Sequence, residues 1–101
     1  MWAQLMKFQL KPGTDTAKVA EQLQAAEQPD SGVLQTIVMR DQKDPSQACT
    51  LIVFESEAKA RAREADPRRE EGLQAVRATL ADILAGPPEY TDLTVTEQWH
   101  P

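Results

Sequence analysis

The sequence predicts an α+β domain whose elements run β-α-β-β-α-β. Three observations carry this expectation. Both ends of the chain alternate apolar and polar residues with the period of two that strands require. Two stretches in the middle are apolar on both faces and are joined by a short polar turn. The segments flanking that pair repeat apolar residues every three or four positions, as amphipathic helices do.

From Trp2 to Leu10, the residues Trp2, Met6, Phe8 and Leu10 share one face around Gln4, which reads as a first strand. Lys11-Pro12-Gly13 breaks it. Thr14 or Asp15 can then cap a helix reaching about Gln28, with Val19, Ala20, Leu23 and Ala26 on one stripe. Gln28-Pro29-Asp30-Ser31-Gly32 stops this helix. Val33 to Arg40 is a second strand, with Val33, Ile37 and Met39 expected on one face and Leu34 and Val38 on the other. A polar turn from Asp41 to Ser46 leads into a partner strand, Gln47 to Glu55, with Cys49, Leu51 and Val53 opposed to Ala48, Ile52 and Phe54. Ser56 suits the N-cap of a short charged helix ending near Ala65. Asp66-Pro67 restarts the helix, and Leu73, Val76, Leu80, Ile83 and Leu84 form its apolar stripe. Gly86 is expected to end it as a left-handed residue, with Pro87-Pro88 forbidding continuation. Tyr90 to Trp99 closes the order as a last strand.

Two right-handed crossovers place both helical layers on one face of a four-stranded antiparallel sheet, the ferredoxin-like arrangement. The other face is left bare while the middle strands remain apolar on both sides. A second copy is the simplest cover, so the expected assembly is a homodimer packed through the open sheet face.

At 101 residues the length allows one domain, 1–101, and one core. Sixteen acidic against eleven basic side chains give a net charge of −5, which disfavours nucleic acid and anionic membrane surfaces. The densest basic run, Lys59, Arg61, Arg63, Arg68 and Arg69, is interleaved with Glu57, Glu64, Asp66, Glu70 and Glu71 and reads as a solvated surface. The start lacks the pattern of a signal peptide, no apolar run is long enough to span a bilayer, and Cys49 stands alone. A cytoplasmic protein is expected. One His, one Cys and no carboxylates at ligand spacing argue against a metal site, and isolated glycines argue against a phosphate loop.

Phe54-Glu55-Ser56-Glu57-Ala58 followed by a short helix, then Asp66-Pro67-Arg68-Arg69 opening a long one, resembles the antibiotic biosynthesis monooxygenase family. The opening strand with Lys11-Pro12-Gly13 before a helix fits the same pattern, so the resemblance spans essentially the whole chain. It implies a dimeric α/β barrel and, among the family's activities, cofactor-independent oxidation of aromatic polyketides and quinols, or haem degradation. Haem degraders rely on a first-strand Asn, a Trp and a His; the last two correspond by position to Arg63 and Leu73, and the chain contains no Asn. That argues against haem degradation and removes the amide on which the family's cofactor-free oxygenases rely. Other members carry Trp at the position of Phe54 and His at that of Arg63.

The remaining candidates each have a plain alternative. Arg63 is either a solvent-facing residue or a guanidinium at a pocket rim that holds an anionic phenolate or carboxylate. Arg77 admits the same two roles. Trp2, Phe54 and Tyr90 are either core residues or the wall of a pocket for a planar ligand, Tyr90 then donating a hydrogen bond. Gln4 is an exposed edge residue or an orienting amide. His100, the one imidazole, lies in a terminal segment beside Trp99 that would have to reach a pocket to act as a base. Cys49 is a small buried hydrophobe rather than a nucleophile. The expected function is a cofactor-independent monooxygenase, or a related oxidation or proton-transfer enzyme, acting on a small aromatic or polyketide-like substrate. The alternative is a small-molecule-binding or accessory dimer without catalysis.

Overall fold

The structure, a computed structural model, describes residues 1–101. Its strands are β1 (Trp2–Gln9), β2 (Val33–Arg40), β3 (Gln47–Phe54) and β4 (Glu89–Thr94). Its helices are α1 (Ala17–Ala26), α2 (Glu57–Glu64) and α3 (Glu70–Ile83), with a single 3₁₀ turn, Pro67–Arg69, between the last two. The sheet order is β2-β3-β1-β4 with every neighbouring pair antiparallel, which is the ferredoxin-like topology.

Local chemistry fixes the boundaries. The N-cap of α1 is Thr16, not Thr14 or Asp15, and its side chain makes no capping bond; Asp15 Oδ1, one residue earlier, accepts from the Ala17 amide at 3.0 Å. Ser56 Oγ accepts from the Lys59 amide at 3.1 Å and starts α2. Asp66 accepts from the Arg68 amide at 2.9 Å, and Pro67, which has no N–H to lose, opens the turn. Gly32 has φ +82°, and a Cβ there would lie 2.6 Å from Cβ of Lys59, so the chain enters β2 on glycine.

The even-numbered residues of β1 and β3 face the helices. Trp2, Ile52 and Phe54 pack with Ala60 of α2, while Phe8, Leu10 and Ala48 pack near Leu80, Ile83 and Leu84 of α3 and the residue that follows it. The helices meet closely where Gly72 of α3 faces Ala26 of α1; a Cβ on Gly72 would sit 2.7 Å from that of Ala26.

Four expectations change. A register irregularity between Val33 and Gln35 turns Val33 toward the helices, where it packs on the Trp2–Phe54 cluster, and leaves Leu34 53% exposed. Strict alternation had grouped Val33 with Ile37. The β2 strand, apolar in sequence, lies at the sheet edge and is largely exposed. Gly86 is not left-handed and does not end α3. The chain leaves the helix at Ile83 because Leu84 bridges Leu10, with the Lys11 amide on the Ile83 carbonyl at 2.7 Å and the Ala85 amide on the Gln9 carbonyl at 2.8 Å. Finally, β4 stops at Thr94, and residues 95–101 carry no regular structure.

On the sheet's other face lie Leu5, Ile37, Met39, Cys49, Leu51 and Leu93, with Val53 between them, so the surface away from the helices is largely apolar. No helix is long and apolar enough to cross a membrane.

Candidate functional site

A cavity of about 230 Å³ lies between the helix-facing side of the sheet and helices α1 and α3. Alternation in β1 aims Gln4, Met6 and Phe8 into it, Ile52 of β3 adjoins them, and Tyr90 enters from β4, where it pairs with Met6. The helical stripes supply Val19 and Leu23 from α1 and Leu73, Val76 and Leu80 from α3. Larger recesses exist, of about 400 Å³ beside Gln22 and Gly72 and about 380 Å³ beside Lys7 and Cys49, but these are open surface grooves with few apolar walls. Enclosure and convergent polar groups, not volume, mark a ligand site.

Three guanidiniums line the cavity. Arg63 lies one turn after the buried Ala60 of α2, and its Nε donates to both carboxylate oxygens of Glu27, at 2.9 and 3.2 Å. Its guanidinium also rests over the Phe54 ring at 5.5 Å. It is therefore a partly buried, paired residue rather than a solvent-facing one, and its partner is an acid just past the end of α1 that the sequence did not single out. Arg77 lies at the outer end, paired with Glu70 at 3.3 Å where both side chains are well exposed.

Arg69 differs from both. Grouped by the sequence with a solvated charge run, it is only 4% exposed. The 3₁₀ turn sends Arg68 outward to Asp66 and Asp30 and turns Arg69 inward. Its Nη1 donates to the Arg63 carbonyl at 3.3 Å, and its buried Nε has no acceptor. Burial first, and the neighbouring Arg63 charge second, pull its pKa below the usual arginine value. A guanidinium still stays protonated in a protein, so a charge is held here. A signal for it was present: positions 69, 73, 76 and 80 continue the spacing of the α3 stripe by one turn, which makes Arg69 a charge at a core position.

Gln4 lies on the internal strand β1, so the edge alternative falls away. Its amide donates to Asp92 Oδ1 at 3.2 Å. The Arg61 guanidinium, 3.0 Å from Asp92, and then Gln4 hold that carboxyl below its usual range. Tyr90 lines the cavity with over half its surface exposed. Trp2 and Phe54 do not line it. Their rings meet at a tilt of 51°, centroids 5.7 Å apart, inside the core, with Arg61 lying 5.0 Å over Trp2. Big rings on adjacent strands in a small domain are worth more as burial than as exposed wall. His100 and Trp99 are exposed in the tail, Trp99 at 77%. The sequence-derived set thus divides: Gln4, Arg63 and Tyr90 converge, while Trp2, Phe54 and His100 stand apart. No group of three metal-capable side chains occurs, and the cavity lining contains no carboxylate, imidazole or thiol.

No family model and no curated protein matches the sequence. Its fold, however, is that of solved antibiotic biosynthesis monooxygenases. One such structure superposes with a TM-score of 0.66 at 13% identity over 96% of this chain and 100% of the other. SnoaB, a cofactor-independent oxygenase from Streptomyces nogalater, superposes with a TM-score of 0.69 at 15% identity over 96% and 94% of the two chains. A protein of unknown function from Nitrosomonas europaea, NE2512, does so with a TM-score of 0.69 at 22% identity over 99% and 93%.

Proposed function

We propose that the cavity between the sheet and α1 and α3 binds a small aromatic hydroxy compound or ketone as its anion, and that the chain is a cofactor-independent oxygenase. The observation that carries this reading is the lining itself: apolar walls with Arg63, Arg69 and Arg77 converging on one space beside Gln4 and Tyr90. Such a site favours the ionised form of a phenol or enol, because cations in a water-poor recess stabilise negative charge strongly. The fold shared with SnoaB supports the choice of chemistry.

The ionised substrate is an electron-rich carbanion that reacts with dioxygen directly. A C–O bond forms, the resulting peroxide takes up a proton, and loss of water converts a CH₂ group to a carbonyl. One oxygen atom enters the product and the other leaves as water with both hydrogens of the CH₂. The four electrons that reduce dioxygen come from that carbon, so no external reductant is needed. Arg63 balances the anion while Glu27 and the Phe54 ring hold it in place; Gln4 and Tyr90 orient the ring system. His100 is a candidate base only if the tail folds onto the cavity.

Oxygen uptake with a panel of naphthols and hydroquinones tests the reading. Turnover that falls about tenfold or more in Arg63→Ala supports it, a loss of the size expected for a charge-assisted hydrogen bond. No uptake with any member contradicts it. The lining's lack of a carboxylate, imidazole or thiol to take the substrate's proton favours a second reading, a binding protein without catalysis. Thermal shifts with ligands and no oxygen uptake would identify that one.

The same reading includes a cytoplasmic homodimer packed through the open sheet face. The apolar row Leu5, Ile37, Met39, Leu51 and Leu93 supports the packing. Sedimentation showing only monomer at micromolar concentration would contradict it.

A further inference from the structure

We propose that the Arg69 guanidinium is the seat of a carboxylate on a one- or two-ring aromatic ligand. This rests on the reading above only in taking the cavity as the ligand site.

Of two buried or partly buried guanidiniums, Arg63 and Arg69, only Arg63 is ion-paired, to both oxygens of Glu27. Arg69 makes no salt bridge, and its one hydrogen bond is to the Arg63 carbonyl at 3.3 Å. Its Nε is buried and unpartnered while the side chain lines the cavity. A buried donor without an acceptor costs about 1–3 kcal/mol, and an apolar side chain of similar size would avoid that cost. Nothing within the fold recovers it. A ligand carboxylate seated against the guanidinium supplies the missing opposite charge.

A carboxylate fits better than a phenolate here for a further reason. It is ionised at neutral pH without help, whereas a phenol must give its proton to a base, and the lining offers none. The space beyond Arg69 is walled by Phe8, Leu73, Val76 and Leu80, which suits the rest of the ligand to an aromatic ring. At about 230 Å³ the cavity falls below the range of roughly 300–1,000 Å³ usual for drug-sized ligands. That points to one or two rings rather than three or four.

The test titrates 2-naphthoate and 2-naphthamide, equal in size and shape but differing in charge, against the wild type, Arg69→Gln and Arg69→Met. Arg68→Gln serves as an outward-facing control. The wild type and Arg68→Gln should bind naphthoate about tenfold or more tighter than naphthamide, and both Arg69 variants should lose the preference. Unliganded Arg69→Met should melt no lower than the wild type, since an unpaired buried charge has been removed. Three results would overturn the proposal. They are equal or absent binding of the two compounds by the wild type, an Arg69→Gln variant that keeps the preference, and an Arg69→Met variant melting several degrees lower, which would make the guanidinium structural. Oxygen uptake separates this from the reading beneath it. Turnover of hydroquinones with no preference for a carboxylate leaves the oxygenase and removes this inference; a carboxylate preference without turnover does the reverse.

Discussion

The outer surface of α2 and the recess beneath it are built with the same cation under opposite conditions. Outside, Arg61 is surrounded by Glu57, Glu64 and Asp92, at 3.2, 3.2 and 3.0 Å, and Arg68 is held by Asp66 and Asp30 at 2.7 and 2.9 Å. Inside, Arg69 donates to the Arg63 carbonyl and forms no ion pair, while Glu27 is taken by Arg63. In a chain with five more acids than bases, acidic partners are not scarce. That none of them is ion-paired with the buried guanidinium is therefore a property of the recess and not of the composition. Charges at the surface are compensated by neighbours in the fold and are worth little to stability. The recess carries an uncompensated charge where water is sparse, and compensation from outside has its largest effect there.

Removing the acid that pairs with Arg63 should sharpen this contrast most. Glu27→Gln breaks a pair whose side chains are 11% and 26% exposed, with an expected loss of about 1–3 kcal/mol in thermal or urea unfolding. It also frees the Arg63 charge, so the same variant should bind 2-naphthoate severalfold more tightly. Unchanged affinity would mean that Arg63 does not face the ligand.

A smaller effect is expected from the surface. Hydrogen bonds from Arg68, and secondarily its charge, hold the Asp66 carboxyl below its usual 3.8. A carboxyl depressed in the folded state favours folding above its unfolded pKa and loses that contribution as pH falls through the folded value. Melting temperature should therefore decline on acidification below about pH 4, and Asp66→Asn should shallow that decline only slightly because its partner Arg68 is more than half exposed. A large flattening would mean that the surface network holds the fold more tightly than its exposure allows.

Much of the fold was legible because each element follows from a local rule. Alternation gave β1, a run apolar on both faces gave β3, the Ser56 and Asp66 caps gave the split of the second crossover, and the stripe from Leu73 to Leu80 gave the buried face of α3. The failures came from long-range partners. Leu10 draws Leu84 out of the helix, which no signal near Gly86 announces, and an irregularity at Leu34 reverses the face of Val33. The site was legible only in part for the same reason. Gln4, Arg63 and Tyr90 come together because parity and helical spacing bring them to one side. Arg69 was hidden by its neighbours in sequence: a run of charges looks solvated until the turn at Pro67 separates Arg68 from Arg69. Trp2 and Phe54, attractive as pocket walls, pair with each other instead.

A structure of the wild-type protein with 2-naphthoate bound would test the central claim most directly. The naphthalene should lie against Phe8, Leu73 and Val76, with a carboxylate oxygen within hydrogen-bonding distance of the Arg69 guanidinium. Rings seated in the cavity with the carboxylate turned out toward solvent, or a cavity left empty at saturating ligand, would contradict it.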